Sequence, residues 1–265
     1  MRRKQLLVST AAILAALALA GCASDRMTTG SINPASYGKP VDQLTEADRR
    51  AEVDSLGRAY AANPKDKAVA LRYAAVLQIE GRTDQSLAVM RRTAIVFPKD
   101  RDVLAAYGKA LAAAGDLQPA LDAVRRAQTP EYPDWKLMSA EAAILDQLGK
   151  TQEARALYRR ALDMRPNEAS ILSNLGMSYV LEGDLKTAET YLRSAVAAPG
   201  SDSRVRQNLA LVVGLQGRFK EAEQIAQQEL SAAQAQANVS YLRSMLAQQN
   251  AWSQIKAQDE EKNTN

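Results

Sequence analysis

The chain has 265 residues, 46% of them apolar but only 5% aromatic, and Ala dominates the apolar share. A core of that kind suits helices packed at short range and excludes a β-sandwich, whose faces need β-branched and aromatic residues. There is no His and a single Cys, Cys22. The commonest metal ligand is therefore missing, and neither an intrachain disulfide nor a thiolate zinc site can form. No catalytic set, metal or cofactor is expected. The formal charge is +4, but Arg2, Arg3 and Lys4 supply three of the 34 basic side chains. Without them 31 basic groups face 30 acidic ones, which gives no footing for nucleic-acid binding.

Residues 1–21 read as an export signal. Met1-Arg-Arg-Lys4 is a positive start, and Gln5 to Ala20 is an Ala- and Leu-rich stretch too short to span a membrane comfortably. It ends in Leu19-Ala20-Gly21-Cys22, which resembles the lipobox of bacterial lipoproteins. That resemblance implies cleavage before Cys22, a diacylated sulfur and an acylated new amino group. Several acyl chains give effectively permanent anchoring, at about 0.8 kcal/mol per buried methylene. Ala23 and Ser24 follow the Cys without the Asp that retains many such proteins at the inner membrane. The resemblance thus places the anchor in the outer membrane, with the chain facing the periplasm. Residues 22–41 carry Gly30, Pro34, Gly38 and Pro40 and no apolar period, so they read as a flexible tether averaging about 25 Å end to end.

The body, residues 42–250, is periodic. Gly81, Gly115, Gly149, Gly183 and Gly217 recur every 34 residues. In phase with them run Ser86, Ala120, Ala154, Ala188 and Ala222, then Ala74, Gly108, Ala142, Gly176 and Ala210. A fourth series is Thr93, Ala127, Ala161 and Ala195, broken by Glu229. Each unit reads as two helices of about 13 residues joined near the Gly, which takes the left-handed conformation that ends a helix. Small residues sit where the two helices cross, while Leu111, Leu145, Tyr179 and Val213 fill the space between hairpins. Pro98 and Pro166 stop the second helices. One hairpin cannot bury its own apolar face, but stacked neighbours can.

This pattern resembles the tetratricopeptide-repeat (TPR) family, most closely in Asn174-Leu-Gly-Met-Ser-Tyr-Val-Leu-Glu-Gly183 followed by Ala188. The resemblance implies an all-α, right-handed superhelix of antiparallel helix pairs, a TPR α-solenoid. Five full copies begin near Lys67, Arg101, Trp135, Ala169 and Ser203. Gln43 to Asn63 reads as a half repeat before them, and Val239 to Leu246 as a capping helix after them. Residues 251–265 are polar and read as a disordered tail. Thr129-Pro-Glu-Tyr-Pro133 replaces the regular turn after the second copy, and Glu229 predicts a fifth hairpin that is looser or meets the cap differently.

In this family the first helices line the concave face and bind protein partners. The resemblance carries that role to Asn174, Met177 and Leu181 in copy four and to Arg204, Asn208 and Leu211 in copy five. Ser170, Ser173, Val180, Gln207 and Leu215 fall on the same expected face, and Ala105, Ala106, Lys109, Ala112, Ala140 and Ala143 continue it in earlier copies. An Asn amide both donates to and accepts from a peptide backbone. Asn174 and Asn208 are thus either clamps for a partner or stabilisers of the repeat itself. A second series, Arg91-Arg92, Arg125-Arg126 and Arg159-Arg160 with Arg193, predicts a basic ridge on the outer face. It is either a solvated face or a contact for acidic headgroups or an acidic partner.

Among lipidated TPR families the chain resembles the small lipoprotein of Tad (Flp) pilus assembly, on its Leu19-Ala-Gly-Cys22 box, short tether and repeats running towards the C-terminus. That implies an adaptor for protein partners, a secretin or pilus-assembly components, with neither nucleic acid nor a small-molecule substrate. A scaffold that recruits peptidoglycan enzymes, or a factor in outer-membrane protein assembly, stays open beside it.

Overall fold

The computed structural model describes residues 41, 44–129, 131 and 133–262, with side chains described as far as 248. The export signal, Cys22 and most of the tether lie outside the described residues. Among the described residues twelve α-helices follow one another: α1 (Glu46–Ala62), α2 (Lys67–Ile79), α3 (Thr83–Val96), α4 (Arg101–Ala113), α5 (Leu117–Ala127), α6 (Trp135–Gln147), α7 (Thr151–Met164), α8 (Ala169–Glu182), α9 (Leu185–Ala197), α10 (Ser203–Leu215), α11 (Phe219–Ala226) and α12 (Ala232–Lys262). The first helix of each pair starts at the residue from which the 34-residue period was counted.

Each pair is closed by the same turn. The hairpin glycines have φ between +71° and +85°, a region that Gly alone enters at little cost. The residue after each glycine donates its N–H back across the turn: Arg82 to Leu77 O at 2.8 Å, Asp116 to Leu111 O at 2.9 Å, Lys150 to Leu145 O at 2.8 Å. Asp184 to Tyr179 O and Arg218 to Val213 O complete the set, at 3.1 and 3.2 Å. These bonds satisfy carbonyls at the end of the first helix that have no partner within it.

The starts of the first helices carry a further period. Asp66, Asp100, Asp134 and Asp202 each accept a hydrogen bond from a backbone N–H in the first turn of α2, α4, α6 and α10. In the same register α8 has Glu168, whose side chain makes no such cap. An Asp at that position reaches the free N–H groups, whereas one more methylene misplaces the carboxylate.

The described residues divide into two compact units, one ending at Arg165 and one beginning at Pro166. In the first, α1 packs on α2, hairpin α2–α3 packs on α4–α5, and α4–α5 packs on α6–α7. Gly108 on α4 lies so close to α5 that an added Cβ would meet Val124 Cγ2 at 2.6 Å and Ala120 O at 3.1 Å. Where the first copy has Ala74 and Ser86, the hydroxyl of Ser86 donates to Ala74 O at 2.9 Å. Lys67 and Asp100 tie copy one to copy two at 2.8 Å.

In the second unit α8–α9 packs on α10–α11, and α12 lies on both α10 and α11. At the α8–α9 crossing a Cβ on Gly176 would meet Leu192 Cγ at 2.9 Å and Ala188 O at 3.1 Å. Tyr179 and Tyr191 stack beside it with ring centres 5.5 Å apart. The α11 helix stops at Ala226, eight residues long. Glu229 therefore falls beyond the helix and ion-pairs with Arg206 instead of entering the core. A carboxylate without a buried cation has no place among Ala side chains. Leu242 of α12 seals this end, within reach of a Cβ built on Gly214. The α12 helix runs on to Lys262, across most of the stretch read above as a polar tail. That stretch is rich in Gln, Ala, Lys and Glu, which favour helix even without an apolar face.

Candidate partner-binding surface

On α8, Asn174, Met177 and Leu181 are spaced at three and four residues and so share one face. On α10, Arg204, Asn208 and Leu211 do the same. All six are half-buried, and α8 packs directly on α10. The two rows are fastened together, since Asn208 Nδ2 donates to Ser173 Oγ at 3.1 Å. Asn208 is thus at least in part a stitch between copies four and five. An amide has two donors and an acceptor oxygen, so this bond leaves it capacity for a partner backbone.

Arg204 is committed more fully. Its guanidinium folds back on Asp202, with Nε at 3.1 Å and Nη2 at 2.6 Å from Oδ2. The same carboxylate caps α10 through Arg204 N and Val205 N. Ser173 and Val180, expected on the exposed face, are buried at 4% and 5% exposure; they belong to the packing between helices. Ala105, Ala106, Lys109, Ala112, Ala140 and Ala143 are placed along α4 and α6. What the second unit offers is a strip of Met177, Leu181 and Leu211 edged by the two Asn amides.

The arginine columns are not one uniform face. Arg125 Nε donates to Glu141 Oε1 of the next hairpin at 2.7 Å, and Glu141 is buried. Arg126 donates to Pro98 O at 2.8 Å. Arg193 pairs with Glu189 and Glu221, at 2.6 and 2.7 Å. Arg218 joins the same two carboxylates, at 2.7 Å to Glu189 and 2.5 Å to Glu221, and Gln216 donates to Glu189 at 2.8 Å. Burial pushes the Glu189 carboxyl up, but the bonds from Gln216, Arg218 and Arg193 outweigh it and hold it at about 2, from an ordinary 4.5. These Arg–Glu groups latch neighbouring hairpins together. Among the described residues, Arg91, Arg92 and Arg160 have no carboxylate partner.

Residues 80–134 and 139–203 match the tetratricopeptide-repeat family model. Those residues form tetratricopeptide repeats. No match was found among the curated proteins. Among solved structures the chain is similar to a thermophilic TPR protein of Thermus thermophilus, at 23% identity and a TM-score of 0.58, over 65% of this chain and 96% of that one. It is also similar to the type IV pilus biogenesis factor PilW, at 21% identity and 0.57, over 76% and 91% of the two chains. PilF of Pseudomonas aeruginosa is similar at 13% identity and 0.50, over 74% and 86%. At these identities the likeness is one of fold.

A TPR fold implies protein partners. Sequence reasoning set the strip on two helices, which are α8 and α10. It missed the Asp caps, although they keep the same 34-residue period, and it missed the Arg–Glu latches, whose partners lie on neighbouring hairpins.

Proposed function

We propose that this chain is a periplasmic adaptor, anchored in the outer membrane through Cys22, that holds a segment of a protein partner on the first helices of copies four and five. The process it serves is assembly of an envelope machine, a Tad (Flp)-type pilus or its secretin. The observation that carries the binding mode is the half-buried strip of Met177, Leu181 and Leu211 flanked by Asn174 and Asn208. Apolar pockets take partner side chains while amides fix the partner's backbone, the division of labour found in peptide-binding grooves. The Leu19-Ala-Gly-Cys22 box supports the anchor. The similarity to PilW, a pilus biogenesis factor, is in keeping with the process.

The test is capture of partners from outer-membrane extracts by the native lipidated chain and by an Asn174→Ala/Met177→Ala variant. The native chain is expected to retain secretin or pilus-assembly components. The variant should hold them at least about tenfold more weakly, roughly 1.4 kcal/mol, while circular dichroism shows that it is still folded. Asn208→Ala breaks the bond to Ser173 and should lower stability as well as binding, by about 0.5–1.5 kcal/mol. Capture of cell-wall enzymes instead overturns the pilus assignment, and undiminished binding by the double variant overturns the strip.

A further inference from the structure

The outer end of the first hairpin carries an unusual combination of exposed groups. The solvent face of α3 ends in Arg91, Arg92, Ile95 and Val96, all exposed, with Ile95 at 76% and Val96 at 38%. Four-residue spacing sets Ile95 over Arg91 and Val96 over Arg92. Lys99 follows, exposed, and Arg126 reaches over from the end of α5 to Pro98 O. The acidic group of α3, Asp84, lies at the opposite end of the helix. Copy three repeats it only in part: Arg159, Arg160 and Met164 stand 68 residues beyond Arg91, Arg92 and Val96, and Met164 is 39% exposed, but the exposed Asp163 takes the place of Ile95.

We infer that this end of the first unit docks on an anionic lipid bilayer surface. Arginine guanidinium groups attract acidic headgroups and leave short apolar side chains at the depth where acyl chains begin, which is how basic amphipathic faces hold to membranes. The chemistry is complementary in both respects: Arg91 and Arg92 are cations without a carboxylate partner among the described residues, and Ile95 is a β-branched side chain left open to solvent. Chain length permits it, because Glu46, where α1 begins, lies 24 residues beyond Cys22, enough for the unit to lie at the bilayer that the proposed anchor would enter. Near-neutral overall charge does not oppose it, since the attraction is local and acts within a Debye length of about 8–10 Å. The inference rests on the proposed anchor for bringing bilayer and patch together, but the patch itself does not depend on acylation.

The experiment uses the mature chain from residue 22 with Cys22→Ser, so that no acyl chain contributes. Its binding is measured to vesicles of phosphatidylcholine mixed with phosphatidylglycerol and to vesicles of phosphatidylcholine alone. Binding to the anionic vesicles only, weakening with added salt, is expected. Arg91→Glu/Arg92→Glu and Ile95→Glu should each reduce it at least about tenfold while circular dichroism and melting temperature stay unchanged; Asn174→Ala on the other unit should not affect it. Equal binding to both vesicle types, no binding to either, or variants that bind as well as the parent overturns the inference. So does an acidic protein that binds the same patch when the vesicles do not. Palmitate labelling of the native chain reads the Cys22 anchor separately, so failure on vesicles and failure of the anchor are told apart.

Discussion

Gly108 and Gly176 show how a single missing side chain sets the distance between two helices. At each, a Cβ would press on a backbone carbonyl 3.1 Å away as well as on a branched side chain, and a carbonyl in a packed helix cannot step aside as a flexible side chain can. Gly176→Ala should therefore cost about 1–3 kcal/mol through overpacking, despite the gain in helix propensity. Glu168 illustrates the opposite case, a residue one methylene too long for the job its Asp counterparts perform. Glu168→Asp should supply the missing cap of α8 and raise stability by about 0.5–1 kcal/mol. Urea denaturation of the two variants side by side checks both signs, and opposite shifts are the expected result.

At the scale of elements, hairpins are held to each other by apolar packing and by long Arg–Glu latches across the gaps. The cluster of Glu189 with Arg193, Arg218 and Gln216 joins α9 to the α10–α11 turn. Because the folded carboxyl is held at about 2 and its ordinary value is 4.5, its contribution is present in full above pH 4.5. It is lost as pH falls from there towards 2, where the folded carboxylate finally takes up its proton. Glu189→Gln should accordingly lower stability at pH 7 by about 1–2 kcal/mol, and the difference from the parent should shrink in melts taken stepwise down to pH 3. A gap that stays constant with pH would mean that Glu189 acts through packing alone. The pair of Arg125 with buried Glu141 belongs to the same class, so reversing Arg125 should loosen the third hairpin as well as change surface charge. Arg91, Arg92 and Arg160 are positions at which charge is reversed without breaking a latch among the described residues.

On the scale of the whole molecule, helices within each unit touch the one that follows, and first helices also touch the first helix of the next pair. Such local contacts make stability a sum over neighbours within each unit, and they confine the damage of a surface change to its own hairpin. The proposed attachment at Cys22 should therefore be separable from folding. Cys22→Ser is expected to leave the helical content unchanged while abolishing palmitate incorporation and outer-membrane fractionation, read by metabolic labelling and by separation of the membranes. Retained label would sink the lipid anchor, and loss of helix would show that the N-terminal segment contributes to the fold.

The sequence by itself determined the all-α hairpin repeat, the turn glycines and the crossings at Ala74, Gly108, Ala142, Gly176 and Ala210. Two helix backbones can approach closely only where no side chain intervenes, and that demand returns at fixed spacing whatever the surroundings. It also announced that Glu229 would disturb the fifth hairpin, because a carboxylate cannot replace a small core residue. The tertiary structure decided which polar groups are already spent. Arg125 meets Glu141, Arg193 meets Glu189 and Glu221, Arg204 turns back on Asp202, and Asn208 bonds to Ser173. Long side chains reach several neighbours, and which one they meet depends on how one hairpin rests against the next, a geometry that a 34-residue period does not encode.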